Sequence, residues 1–230
     1  TFERLLSDQS IKEYDQIKKV SISGGHLCLH IGINRSHMKL NLTDTNIWLY
    51  PGYDHDKNVL NHSQSMKSDF PLIYFSFPSV KDPKWHQNHP DKTTIELITM
   101  SRYEWFEKWR QKPWKKRGEE YESIKEALSI RLLDKMYEHL PQLKGEVDYY
   151  ELSTPLSTRD MSHYKRGELY GLNHTPSRFN QKNLTPRTGI KNLYLTGQDI
   201  VSVGLAGALS SGALTVSAIL RKNILKDLRI

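Results

Sequence analysis

Residues 192–220 read NLYLTGQDIVSVGLAGALSSGALTVSAIL, and the order of residue types in this stretch decides how the chain is read. Leu193 to Leu195 is a short apolar run that predicts a buried strand. Gly197 and Asp199 mark a turn carrying one acid, and Gly204 and Gly207 open a helix of small residues with no charge until Arg221. A helix N-terminus presents free N–H groups and a partial positive charge. It suits a phosphate or the carbonyl of a flavin's pyrimidine ring. A strand, an acid-bearing turn and a helix are the means by which an α/β protein offers backbone and a carboxylate to a dinucleotide.

Two plainer readings compete. Ile200 to Leu220 is 21 residues without a charge, long enough to span a membrane, and its small-residue spacing adds to that reading. Against it stand Ser202, Ser210, Ser211, Thr215 and Ser217, the crowding of glycines in the first half, and a strand running straight into the segment. The other alternative is a buried helix that packs on a sheet and meets no ligand.

The chain has 230 residues, enough for one large domain or two small ones. It begins at Thr1 without a basic-plus-apolar leader, which reads as a processed or excised piece. Cys28 is the one cysteine, so no internal disulfide framework exists. The net charge is +7. Its positive residues are interleaved with acids except in Arg110 to Arg117 (RQKPWKKR), and Trp105, Trp109 and Trp114 lie in or just before that run. Lysines beside indoles suit an anionic membrane surface. Stacking on nucleic acid is a weaker fit. The plainest reading is a solvated helix end with the tryptophans packed inward.

Along the chain, Ile11, Tyr14 and Ile17 fall at helical spacing, and His26 to Ile33 reads as a strand. Asn46 to Tyr50 is a short strand closed by Pro51–Gly52, and 65–69 a linker. Leu72 to Phe77 is an aromatic-rich strand ended by Pro78, followed by a polar loop over 79–92. Thr93 to Met100 alternates as a central strand. Ser101 with Glu104 forms a capping-box pattern that predicts a helix through Trp109. Glu119 to Leu140 is the clearest helix, with Tyr121, Ile124, Leu128, Leu132, Met136 and Leu140 in one stripe and Pro141 as the stop. Gly145 to Leu152 reads as a strand and 153–186 as an irregular polar loop. The fold class is therefore α/β in the mixed, α+β sense, a mixed sheet with crossing helices. No G-x-G-x-x-G follows any predicted strand, and Gly24–Gly25 is too short to serve. The chain carries at most the second half of a dinucleotide site.

Several dispersed segments carry a resemblance: FPSVKDPKW (77–85), YEWFEKW (103–109), KRGEEYE (116–122), STPLSTRD (153–160), RGELYGLNH (166–174) and NLYLTGQDIVSVGLAGAL (192–209). They resemble the retinol saturase (all-trans-retinol 13,14-reductase) branch of the phytoene desaturase and carotenoid isomerase flavoproteins, in its C-terminal half. The resemblance implies an amine-oxidase-like fold with FAD as cofactor and NAD(P)H as an electron source. Residues 1–185 would be a mixed-sheet substrate domain, and 186–230 the C-terminal segment of the FAD domain. The glycine-motif half that such a site needs would be a missing partner. Gly197 would allow close approach of the cofactor, Asp199 would accept from a ribityl hydroxyl, and Gly204, Leu205, Ala206 and Gly207 would face the flavin ring. The implied reaction is saturation of a double bond in an apolar retinoid or isoprenoid polyene. The alternatives are a carotenoid desaturase or isomerase, and a non-catalytic membrane-surface or lipid-binding module. The implied location is membrane-associated: the endoplasmic reticulum in a eukaryote, or the cytoplasmic face of the inner membrane in a bacterium.

Such a reaction needs a hydride and a proton, and Tyr170 and His174 are the candidate acids by position. Tyr74, Phe75 and Phe77 are candidates to line a tunnel, with core filling as the plainer reading. His26, Cys28 and His30 share a strand face but form a poor ligand set with no remote partner, so no metal is expected. Asp54, His55 and Asp56 read as a solvated turn. Asn34, Asn41, Asn61, Asn173 and Asn183 begin N-x-S/T triplets, which matter only in a secretory lumen.

Overall fold

A computed structural model describes Leu6 and residues 12–226, so Ile11 of the first helical pattern lies outside the described residues. The chain divides into two compact units, Gly24–Leu169 and a second formed by Thr1–Ser23 with Tyr170–Ile230. The division falls at Leu169–Tyr170, upstream of the boundary at 185 that the resemblance implies. The loop over 170–185 therefore belongs to the unit that holds the C-terminal helix.

The larger unit is built on five strands: β1 (Gly25–Ile33), β2 (Ile47–Leu49), β3 (Ile73–Ser76), β4 (Thr93–Ser101) and β5 (Tyr149–Ser153). Their order is β2-β3-β4-β1-β5, and every pairing is antiparallel. The expected mixed sheet is thus an antiparallel one; no βαβ crossover joins neighbouring strands. Period-two alternation sends Leu27, Leu29, Ile31 and Ile33 of β1 to one face, with Ile95 and Leu97 of β4 and Ile73 and Phe75 of β3. Phe75 and Phe77 are core residues, whereas Tyr74 lies on the opposite face and stacks on Trp48 at 4.5 Å.

One long helix completes that core. After the short helix Lys12–Ile17 (α1) of the smaller unit come α2 (His55–Gln64), α3 (Pro78–Lys81), α4 (Trp85–Asn88) and α5 (Glu119–His139). Glu119, Glu120 and Glu122 favour the positive N-terminus of α5, and Pro141 follows its end. Its stripe Tyr121, Leu128, Leu132 and Met136 is buried in the same cluster as the strand apolars. Each such side chain contributes about 1.5–3 kcal/mol by leaving water. The Tyr121 hydroxyl is satisfied inside the core by Thr154 Oγ1 at 2.7 Å, as burial of a phenol requires.

Three local expectations are corrected. Ser101 is the last residue of β4, paired with Gly25, and the segment after it forms two 3₁₀ turns, Tyr103–Trp105 and Glu107–Trp109, in place of a capped α-helix. The polar loop over 79–92 contains α3 and α4. The irregular stretch after 153 opens with α6 (Pro155–Ser162), where Thr154 and Ser157 form a capping box and Pro155 occupies the first turn. Of the three tryptophans, Trp109 is buried and Trp105 packs against the core, while Trp114 is exposed beside Lys115. Asp54 caps α2 by accepting from Lys57 N–H at 3.0 Å.

The smaller unit contains α1, α7 (Pro176–Phe179) and α8 (Gly204–Leu220). The expected strand at 193–195 reduces to a single bridge between Arg187 and Tyr194. The reason is visible in α8, whose inward face is polar. Thr215 donates to Leu195 O, and Ser211 Oγ accepts from Gly197 N–H at 2.6 Å. Leu193 N–H donates to Ile190 O and Leu195 N–H to Pro186 O, so turn carbonyls and helix hydroxyls, in place of a neighbouring strand, satisfy this backbone. Among the described residues no helix is long and apolar enough to cross a membrane.

Candidate functional site

The turn over 197–203 and the loop over 170–178 interlock in the smaller unit. Leu172 N–H donates to Asp199 Oδ1 at 2.8 Å. Arg178, only 2% exposed, donates from Nη2 to the carbonyls of Gln198 and Asp199 at 2.9 and 3.0 Å. Its Nη1 lies 2.6 Å from His174 Nε2, which also accepts from Val203 N–H at 2.9 Å. Val203 is the N-cap of α8. The loop thus grips the turn at three successive places and ends at the helix N-terminus.

These contacts assign a protonation state. Two N–H donors converge on His174 Nε2, so that atom carries no proton. Burial, then the Arg178 guanidinium, holds the imidazole below its ordinary pKa. His174 therefore has only the Nδ1 proton to give, and its present work is to fix the start of α8. Tyr170 is exposed, and its backbone N–H donates to Ser23 Oγ at 3.0 Å.

The six cofactor-facing positions expected from sequence differ in their surroundings. Gly197 and Gly204 have φ of +105° and +83°, and a Cβ at either would meet open space. Gly204, Leu205 and Ala206 are exposed in the first turn of α8, which carries no acid and receives no side-chain cap. Gly207 faces inward instead, where a Cβ would stand 1.9 Å from Ser202 O. It sets helix packing. Asp199 turns its Oδ1 to Leu172, so that oxygen orients the loop.

Arg178 escaped the sequence reading. Its signal was Thr175–Pro176, an N-cap followed by proline at the first helical position. That pair marks a helical turn which carries the arginine inward.

The apolar side chains of α8 face outward and its small and hydroxyl residues face inward. Leu205, Leu209 and Leu220 are 86%, 76% and 60% exposed, while Gly207, Ser211 and Thr215 are buried.

No family model matches the chain. Aligned over 240 residues, covering 100% of this chain, it is 33% identical to a Rattus norvegicus protein named all-trans-retinol 13,14-reductase. A Danio rerio protein of the same name is 35% identical over 218 residues, 91% of this chain. The chain is a relative of the all-trans-retinol 13,14-reductases. The resemblance carried by the dispersed motifs therefore holds over nearly the whole length. A second Danio rerio relative, named inactive all-trans-retinol 13,14-reductase, is 31% identical over 243 residues, 99% of this chain. The chain spans 39%, 36% and 39% of these three reductase relatives, in the order given.

Proposed function

We propose that this chain is the substrate-covering and cofactor-contacting part of an FAD-dependent oxidoreductase that reduces a double bond of a retinoid or related isoprenoid polyene. The observation that carries the reading is the first turn of α8: three exposed residues, no cap, no acid, and a start held in place by His174 and Arg178. The residues present fit a flavin there. Gly197 and Gly204 leave room for close approach, and the N-terminal N–H groups of α8 are suited to the ring carbonyls. When bound, FAD would supply the hydride. The rest of the site, including the phosphate-binding glycine turn, would come from elsewhere in the full-length polypeptide and would cover Leu205 and Leu209.

In this reading the chain's own residues orient and exclude. Arg178 holds the turn carbonyls. Asp199 fixes the loop that carries Tyr170, the proposed proton donor, and His174, whose neutral ring holds the start of α8. The sheet face opposite the core is mixed, with Tyr74, Ile98 and Met100 beside His30 and Glu96, and a polyene would lie along its apolar part. Water exclusion there would favour charge development in the reacting chain over loss of hydride to solvent.

The test uses the full-length protein. It should purify with a flavin absorbance band, and reduced enzyme should add two hydrogens to all-trans-retinol by product mass. Ala206→Glu, an exposed change that places an acid at the helix N-terminus, should cost flavin retention without loss of fold. A product lacking two hydrogens, or isomeric with the substrate, would favour the carotenoid desaturase and isomerase reading. A flavin-loaded protein that turns over no polyene would place it with the relative named inactive. A colourless protein that stays colourless after reconstitution overturns the proposal.

A further inference from the structure

Strands β1 and β4 bring three metal-ligating side chains to one point on the sheet face opposite the core. Cys28 and His30 share that face by strand periodicity, and Glu96 is the direct cross-strand partner of His30. Cys28 Sγ lies 3.8 Å from His30 Nδ1, and Nδ1 lies 3.3 Å from Glu96 Oε1. All three ligand atoms fall within 4.8 Å of one another. A tetrahedral zinc ion bonds sulfur at about 2.3 Å and nitrogen or oxygen at about 2.0–2.2 Å, which sets its ligand atoms about 3.3–3.6 Å apart.

We propose that Cys28, His30 and Glu96 form a binding site for a zinc-like divalent cation, independent of the flavin reading. His26 shares the face but lies outside the cluster. The remote ligand is Glu96, 66 positions from His30 in sequence and brought beside it only by the strand register. Ser153 Oγ of β5 lies 3.3 Å from His30 Nε2, an outer contact that leaves Nδ1 to the ion and fixes the ring. Thiolate, imidazole and carboxylate together select zinc or cobalt(II) over magnesium and calcium. Three protein ligands, with His30 and Glu96 side chains 48% and 35% exposed, leave a fourth position open to water. Binding releases the thiol proton and the Nδ1 proton to solvent.

The test is zinc titration of the 230-residue chain by chelator competition, followed by X-ray absorption at the zinc edge. The expected result is one equivalent bound, with one sulfur at about 2.3 Å. Because Cys28 is the chain's one cysteine, a thiolate scatterer identifies the site. Cys28→Ser and Glu96→Gln should each weaken binding at least tenfold, and Ser153→Ala by about tenfold or more. Circular dichroism of the metal-free variants confirms that they remain folded, and Glu96→Gln, a part-exposed change, keeps the test valid if Cys28→Ser does not. A shell of nitrogen and oxygen only, or unchanged affinity in folded Glu96→Gln, overturns the proposal.

Discussion

A Cβ at Gly171 would stand 2.3 Å from Oδ1 of Asp199, the oxygen that accepts the Leu172 N–H. Gly171 also has φ of +64°, in the left-handed region. The close approach of loop and turn thus depends on the absence of a side chain at 171 and on the carboxylate at 199. Gly171→Ala should destabilise the chain by more than the 1–2 kcal/mol that a left-handed non-glycine residue costs on its own. Asp199→Asn keeps an acceptor and should change stability little, whereas Asp199→Ala removes it and should cost about 1–3 kcal/mol. Denaturant midpoints of the three variants check the order. Equal losses for Asn and Ala at 199 would refute it.

How far the sequence showed this in advance differs by element. The α5 stripe and strands β1, β3 and β4 were legible because each carries its burial pattern along its own length, period 3.6 or period 2. Pairing was not legible, so an antiparallel sheet was read as mixed. Ser101 and Glu104 have the spacing of a capping box, yet pairing with Gly25 holds Ser101 in β4, and tertiary structure overrode the local signal. The apolar run at 193–195 carried a strand signal, but the hydroxyls of Ser211 and Thr215 satisfy its neighbourhood instead. In the site, glycines and the acid were visible as residue types. Arg178 was not, because its importance lies in two carbonyls about twenty positions away.

Those two carbonyls make Arg178 a sensitive position. Its guanidinium is buried and also contacts His174, so truncation leaves several polar groups without partners at once. Arg178→Ala should cost about 2–4 kcal/mol. Lysine should rescue only part of the loss, because one ammonium cannot reproduce the planar fork. Limited proteolysis with sequencing of the new termini should show faster cleavage in 197–203. Wild-type cleavage rates in Arg178→Ala would refute the assignment.

His62 gives the larger unit a pH dependence of definite sign. The ring is 3% exposed and sits between the Asp69 and Met100 carbonyls, each 3.1 Å from a ring nitrogen. Burial is the largest influence and lowers its pKa; the two carbonyls oppose it, and the Arg131 guanidinium adds to it. A histidine with a lowered folded pKa contributes its stability above the ordinary value of about 6.5 and loses it as pH falls toward the folded value. Melting temperature should therefore drop between pH 7.5 and 5.5 by more in the wild type than in His62→Gln. Parallel pH profiles for the two proteins would exclude the effect.

Glycines 207 and 212 lie on the same helix and should respond in opposite directions. A Cβ at Gly207 would meet Ser202 O at 1.9 Å and its carbonyl carbon at 2.5 Å, both backbone atoms that cannot turn aside. A Cβ at Gly212 meets nothing within 4 Å, and the residue lies in the interior of α8. Gly212→Ala should stabilise the chain by about 0.5–1 kcal/mol, through helix propensity and a smaller unfolded ensemble. Gly207→Ala gains the same propensity but must push the helix off the turn that ends at Val203. It should be destabilising by about 1–3 kcal/mol, in the range of overpacked sites. In the full-length protein Gly207→Ala should also lower flavin retention, because the displaced element is the first turn of α8. Denaturant unfolding of both variants, with flavin content measured alongside, separates packing from propensity. Stabilisation by alanine at both positions would show that the helix does not bear on Ser202.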